Sequence, residues 1–344
     1  MAPRSRIEPA TMRLASIHWD GQDRIAAAAG DDTLIDLNLA LEATGGPAFG
    51  TMLDLVRSGG GGLNRARRAA AWAQDNPAAI PTIPAPAVSW HPPVRRPGKI
   101  VGVALNNSAA DDRKISAPDH PTIFMKPATC LIGHGAPIPV RRHYGRLHPE
   151  PELAVIVGRD GKDIEPAQAI DHVFGYTIFN DMTGNDMRAE DRVHYWALYP
   201  DPANPDAVRK VEQHLSYAAR YKGTDGFGPA GPWLVTADAV PDPHDLDISC
   251  SVAGEVFTDD NTRHYTYRVE EVLAFVSRFM TLEAGDMISM GTAFRAAKTG
   301  GRPLHAADLS RLDGPVEVAI SGLGRLSNPV RRDPAPATDW RLAR

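Results

Sequence analysis

The segment HPEPELAVIVG, from His148 to Gly158, sets two glutamates, Glu150 and Glu152, at the start of an unbroken apolar run. Side chains alternate along a strand, so both carboxylates face the same side. Like charges held together at the mouth of a buried strand repel and lose hydration unless something positive compensates them. A second acidic stretch, FNDMTGND, puts Asp181 and Asp186 at the end of another apolar run, VFGYTIF. Strand ends that open into loops are where sites are usually built. Hard carboxylate oxygens with no neighbouring cysteine suit Mg2+ or Mn2+, and such a cation would offset the repulsion within the glutamate pair. Each feature taken singly has a plainer reading. An ExE at a strand edge also serves as a solvated face that blocks edge pairing, and a lone Asp181 also fits a turn or helix cap.

Other chemistries find no support. The chain has no GxxxxGK[ST], and GLG at 322–324 lacks a third glycine and a following helix; there is no GxSxG either. Cys130 and Cys250 lie far apart without CxxC spacing, which indicates neither a zinc site nor a disulfide framework. Net charge is −5 with both signs mixed, so no nucleic-acid footprint is present. Arg65, Arg67 and Arg68 read as decoration of one helix face. The N-terminal MAPRSRIEPATMR has no apolar core of signal-peptide length, and no run nears ~18 apolar residues. The expectation is a soluble, cytoplasmic protein with a small-molecule substrate and neither nucleic acid nor membrane as partner.

The elements that must carry these carboxylates are mostly short strands. A length of 344 residues with 43% apolar content predicts two lobes and a substantial core. MRLASIHW, RIAAAA and TLIDL read as strands broken by Asp20-Gly21 and Gly30-Asp31-Asp32. LNLALEA, FGTMLDLVRS (ended by GGGG at 59–62) and RARRAAAWAQD read as helices. Prolines crowd residues 80–98, too densely for a regular element. Residues 1–95 are therefore expected to form a small α+β accessory domain with a proline-rich linker, and residues 96–335 a catalytic domain. That second part is a series of strands: KIVGVAL, TIFMK, ELAVIVG, VFGYTIFN, WLVTAD, DISCSVAG, DMISMG and VEVAISGLG. Its best helix is VEEVLAFVSRFM. The fold class expected is α+β and β-rich, a mixed roll or sandwich; strand–helix alternation is absent, which disfavours a doubly wound fold.

In order along the chain, GVALNN, FMKP, PEPELAVIVG, FGYTIFNDMTGND, KGTDGFGPAGPW, GDMISMGTAF and ISGLGRL resemble the fumarylacetoacetate hydrolase family over about residues 99–330. The first 95 residues resemble the accessory domain of many members more weakly. The resemblance implies a mixed β-roll, a divalent metal, commonly Mg2+, and a homodimer. It maps the metal ligands onto Glu150, Glu152 and Asp181. The basic residue that contacts substrate maps onto Lys222, and the glycine–threonine that seats the substrate's carboxylate onto Gly291 and Thr292. It also implies action on 2-oxo acids or 1,3-dicarbonyl acids. A 2-oxo acid can chelate a cation through its carboxylate and keto oxygens, and the cation then stabilises the enolate formed as a neighbouring bond breaks.

The chain departs from the family pattern in four places. Where hydrolytic members carry a water-activating histidine, LNNSAADDRK has Ala110, which removes the usual general base; Asp111 or Asp112 is the expected substitute, with His143 and His148 as other options. Asn185 stands where arginine is common, and Arg188 where glutamine is; both are expected to meet substrate. Ala293 replaces a usual proline. The segment between Asp186 and Lys222 is longer than usual and rich in tyrosine and tryptophan. It reads as a proline-rich loop followed by an amphipathic helix capped by Asp206, expected either to cover the metal site or to form a dimer contact, or else to be a surface elaboration. His264 and His305 are expected to serve structure. Three readings result. The first is a metal-dependent enzyme working through an enolate by C–C cleavage, decarboxylation, dehydration or tautomerisation. The second is an acylpyruvate- or fumarylacetoacetate-type hydrolase with a substitute base. The third is a non-catalytic member that binds metal and oxo acid.

Overall fold

The computed structural model describes residues 12–30, 32–296 and 301–333. The N-terminal stretch through Thr11, Asp31 of the second turn signal, and the last two residues of the expected catalytic domain lie outside them.

The chain begins with three strands, β1 (Arg13–Trp19), β2 (Gln22–Ala28) and β3 (Thr33–Asp36). Three helices follow, α1 (Leu37–Ala43), α2 (Met52–Arg57) and α3 (Gly59–Asp75). Asp36 caps α1 by accepting from the amides of Asn38 and Leu39 at 3.0 and 3.2 Å. The four glycines end α2 as expected, and they also form the first turn of α3. The proline-dense passage holds only two short strands, β4 (Ile83–Pro84) and β5 (Ser89–Trp90). Strands β6 (Ile100–Ala104), β7 (Thr122–Lys126), β8 (Pro151–Val157) and β9 (Val173–Asn180) come next.

The segment after Asp186 differs from its sequence reading. Helix α4 (Asn185–Glu190) leads into a long hairpin, β10 (Arg192–Asp201) and β11 (Asn204–Ser216), and only the short α5 (Ala219–Gly223) is helical thereafter. Asp206 lies within β11 and caps no helix. The turn is closed by Asp201, whose Oδ1 accepts from the Ala203 amide at 2.8 Å. The cross-strand register runs from Arg192↔Ser216 to Pro200↔Val208, so pairing between two β-prone runs overrides the local helical spacing.

The remaining strands are β12 (Leu234–Thr236), β13 (Asp247–Val252), β14 (Glu255–Asn261), β15 (Met287–Ser289), β16 (Val316–Ile320) and β17 (Gly324–Asn328). Helix α6 (Val269–Ser277) fills the predicted helical segment between β14 and β15.

A mixed sheet of eleven strands organises the chain in the order β4-β3-β2-β1-β12-β9-β8-β15-β6-β7, with β5 beside β1. All its pairings are antiparallel except β15 with β6. The N-terminal strands are continuous with it, β1 meeting β12 at Arg13↔Val235. A second sheet of four strands runs β14-β13-β16-β17.

Strand β8 is central and buried on both faces, which explains why its sequence is one apolar run rather than an alternation. Leu153, Val155 and Val157 pack with Ile248, Cys250, Val316 and Val318 of the second sheet. Ala154 and Ile156, on the opposite face, pack in the core that also contains Leu37 and Leu41 of α1, Leu55 of α2 and Ala66 of α3. The molecule is thus α+β and β-rich, with α1–α3 on one face of a large mixed sheet and the small sheet together with α6 on the other.

Candidate metal centre

Because β8 has partners on both sides, Glu150 and Glu152 do not guard a sheet edge. They lie at its N-terminal end, where Pro151 pairs with Asn180, the last residue of β9. Asp181 directly follows β9. Its amide donates to the Glu150 carbonyl at 2.9 Å, and the Glu150 amide donates to Asn180 Oδ1 at 2.9 Å. These bonds lock the two strand ends together. One carboxylate oxygen from each of Glu150, Glu152 and Asp181 lies within 4.8 Å of the other two. Glu152 and Asp181 are almost fully buried.

Two lysines answer the charge. Lys222, on α5, reaches Glu150 Oε2 at 2.6 Å and also hydrogen-bonds Asp181 Oδ2. Lys126, at the end of β7, pairs with Asp181 Oδ1 and donates to the Phe227 carbonyl at 2.9 Å. Sequence reasoning assigned Lys126 no role; the FMKP stretch was its only signal. Glu152 takes its hydrogen bonds from neutral donors. These are the Ser289 hydroxyl, the Gly291 amide at 3.1 Å and the Thr292 hydroxyl at 3.1 Å; the same hydroxyl reaches Glu150 at 3.1 Å.

Gly291 must be glycine. Its φ is +100°, and a Cβ there would sit 2.8 Å from Asn106 Cβ and 3.0 Å from the Val103 carbonyl oxygen. Gly291→Ala is expected to destabilise the fold by about 2 kcal/mol or more and to weaken cation binding, as read by thermal melts with and without Mg2+.

These contacts divide the carboxylates. Burial pushes Glu150 up, but the ammonium of Lys222 and the bond from His148 outweigh it and hold the group well below its ordinary range. Glu152 has the opposite balance. Burial and the charges of Asp181 and Glu150 outweigh Lys222 and push it up to about 8. For Lys222, burial works downward, yet Asp181, Glu150 and Glu152 together raise it and keep it charged. A set of hard oxygens, one of its carboxyls pushed up by burial and by its acidic neighbours and so short of positive charge, fits a divalent cation. Glu150, Glu152 and Asp181 would be the ligands, with Thr292 and Lys222 alongside.

The carboxylates lie in a cavity of about 900 Å³. Its walls place the other expected residues. His148 is buried; Asn185 Nδ2 donates to its Nδ1 at 2.9 Å, which leaves Nε2 to donate to Glu150 Oε1 at 3.0 Å. Asn185 therefore orients a histidine. Arg188 lines the cavity with its guanidinium 5.9 Å from the centre of the Tyr221 ring. Ala110 also lines it and is buried. Asp111 and Asp112 do not reach the carboxylates: neither lines the cavity, both are exposed, and Asp111 pairs with Lys114 at 2.7 Å. They sit on a short 3-10 turn, Ser108–Arg113, which turns Ala110 inward and its two acidic neighbours out. His143 does not line it either; its ring lies edge-on against Tyr144, 4.7 Å between centroids.

His305 corrects the sequence reading. It lines the cavity, its ring centroid 4.7 Å from that of His148 and 5.1 Å from Phe294. Burial, with the neighbouring His148, lowers it to about 4, so the ring is neutral at physiological pH. No spacing signal in the sequence connects it with Glu150. His264 is structural, its Nδ1 2.7 Å from Asp260 Oδ1. Of the long segment, Arg188, Ser216 to Ala219 and Tyr221 line the cavity, while the hairpin before Ser216 does not.

Comparison with known proteins identifies relatives of the chain. The model of the fumarylacetoacetate (FAA) hydrolase C-terminal family matches residues 99–331. The human mitochondrial oxaloacetate tautomerase FAHD2A is 33% identical over 243 residues, which cover 70% of this chain and 68% of the relative. The Bos taurus protein of that name is 34% identical over 260 residues, 75% and 73% of the two chains. Among solved structures, maleylpyruvate hydrolase from Sphingobium sp. SYK-6, in complex with manganese(II) and pyruvate, superposes with a TM-score of 0.66 at 26% identity. That match covers 93% of this chain and 99% of the hydrolase. The 2-hydroxyhepta-2,4-diene-1,7-dioate isomerase from Mycobacterium marinum gives 0.62 at 26% identity, covering 94% and 100%. These relatives are enzymes of oxo acids and their enols. The chain belongs to the fumarylacetoacetate hydrolase family.

Proposed function

We propose that this protein is a divalent-cation-dependent enzyme that interconverts the enol and keto forms of a 2-oxo dicarboxylic acid such as oxaloacetate. The observation that carries the reading is the convergence of Glu150, Glu152 and Asp181 on one point beside Lys222, at a cavity wall where Ala110 offers no base to activate water. When bound, the cation, Mg2+ or Mn2+, supplies Lewis-acid stabilisation of negative charge on the substrate's oxygens. Lys222 on the cavity wall, and Lys126 behind it on Asp181, add fixed positive charge; both are buried, where charge acts most strongly. Arg188, on the cavity wall, is assigned the distal carboxylate; Thr292, also on the wall, borders the substrate's own carboxylate, while Gly291 does not line the cavity and serves by holding Glu152. His305, neutral and facing the cavity, is the group assigned to move the proton at the substrate's carbon.

This assignment predicts that His305→Gln lowers kcat by about 10²-fold while leaving the Mg2+-induced rise in melting temperature unchanged. The function itself is tested by following loss of enol absorbance of oxaloacetate with Mg2+, with Mn2+ and after EDTA. Acceleration that vanishes on chelation and returns with either ion supports it. The same rate with and without protein refutes it.

A second reading is C–C hydrolysis of an acylpyruvate. It is favoured by the ring-to-ring approach of His148 and His305 beside Glu150, where a water would meet an imidazole. Acid pairs released from acylpyruvates would select it.

A further inference from the structure

The hairpin of β10 and β11 carries a cluster separate from the cavity carboxylates. His194 and His214 are direct cross-strand partners, so their side chains leave the same face. Glu212, two residues from His214, leaves that face as well. The two imidazoles stand face to face, 3.9 Å between centroids and 12° between planes. His194 Nε2 is 2.6 Å from Glu212 Oε1, and one ligand atom from each residue lies within 4.8 Å of the other two. Arg192 Nη2 donates to His214 Nδ1 at 3.1 Å, which identifies a ring nitrogen with an available lone pair.

We propose that His194, His214 and Glu212 form a second metal site, one that takes a borderline transition-metal cation such as Zn2+ in preference to Mg2+. Imidazole nitrogen suits zinc, copper and nickel, whereas an all-carboxylate set suits magnesium and manganese. Two histidines and one glutamate with a water completing a tetrahedron is an established zinc ligand set. Zinc–nitrogen bonds of about 2.0–2.1 Å hold two ligand nitrogens roughly 3.3 Å apart. All three side chains are exposed, so they close that distance by side-chain rotation, and the ion displaces the Arg192 guanidinium from the His214 ring. The other histidine-containing cluster, His18, Asp23 and His91, is equally close. There the Arg95 guanidinium already occupies the second oxygen of Asp23, so that carboxylate has its cation. Among the described residues the hairpin glutamate has no such partner in its hydrogen bonds.

Position gives the site a consequence. The His194–His214 pair lies two residues from the hairpin's first pair, Arg192↔Ser216. Ser216 and Tyr217 line the catalytic cavity, and the Ser216 hydroxyl donates to the Arg188 carbonyl at 3.3 Å. A two-stranded ribbon is marginal alone, and an ion bound here cross-links its strands next to that root.

The test is calorimetric titration of the full-length protein with Zn2+ in the presence of a large excess of Mg2+, which occupies the carboxylate site. One saturable zinc equivalent is expected. His194→Ala and His214→Ala are each expected to weaken it at least tenfold, while His18→Ala and Asp181→Asn leave it unchanged. Zinc binding that survives both hairpin substitutions, or that disappears with Asp181→Asn, overturns the proposal. So does the absence of saturable binding in the unaltered protein. Co2+ in place of Zn2+ gives a second readout, a visible absorption band expected in the unaltered protein and lost in the two hairpin variants; a band of equal strength in those variants also overturns it.

Discussion

Lys222→Met is expected to reduce turnover by about 10²–10³-fold and to make the fold depend on a divalent cation. The ammonium is buried between Glu150 and Asp181 and hydrogen-bonds both. Removing one partner of a buried ion pair leaves an uncompensated charge, at a cost of about 3–5 kcal/mol. Methionine replaces the volume and none of the charge. Lys126 keeps one oxygen of Asp181 paired, so the loss falls mainly on Glu150. A cation bound to the same carboxylates supplies the missing charge. The melting temperature of the variant should therefore fall well below that of the unaltered protein in EDTA and recover most of the gap in Mg2+. Equal melting temperatures in EDTA would mean that the Lys222 contacts contribute little to the site.

Glu152→Gln is expected to act in the opposite direction on stability and in the same direction on activity. Glu152 is raised from 4.5 to about 8 in the fold by burial and by Asp181, so its ionised form opposes folding. That cost is absent below the unfolded-state value, grows as pH rises from 4.5, and levels off above about 8. Near pH 7 it amounts to about 3 kcal/mol at 1.36 kcal/mol per unit. Glutamine keeps one oxygen for the Ser289 hydroxyl and the Gly291 amide, turns its NH2 group toward the Thr292 hydroxyl oxygen, and removes the charge. In EDTA the variant should be the more stable protein at pH 8 and no more stable at pH 4. It should show no Mg2+-induced shift and lose at least 10³-fold in turnover. Denaturant midpoints measured across that pH range would test it; a variant less stable than the parent at pH 8 would contradict the account of Glu152. Stability sacrificed at a ligand for the sake of the ion is a recurrent trade.

How much of this was legible in the sequence depended on the range of the interaction. The strands of the large sheet could be read because each is a short apolar run closed by turn residues, and a central strand such as Pro151–Val157 needs no outside information to be recognised as buried. The carboxylates were legible for the same reason: Glu150 and Glu152 share a strand face, and Asp181 follows the next strand's apolar run. What failed was anything set by distant pairing. Residues 192–216 alternate well enough to form a hairpin, yet proline 205 and the run after it suggested a loop and helix; the register between the two halves decided the matter. His305 reaches the cavity through a loop with no periodicity, and Lys126 turns inward at the end of a strand whose other residues are exposed or half-buried. Asp111 and Asp112 were plausible as replacements for a base by position alone, but a short 3-10 turn sends Ala110 into the cavity in their place.

The most direct test of the central claim is proton NMR of oxaloacetate in D2O with the purified protein. The rate at which the C3 protons exchange for deuterium would be compared with Mg2+, with EDTA, and with Asp181→Asn in Mg2+. The account predicts rapid exchange only with the unaltered protein and the cation together, with the carbon skeleton intact and no new acid pair released. Exchange that is no faster than in the Asp181→Asn sample would contradict it.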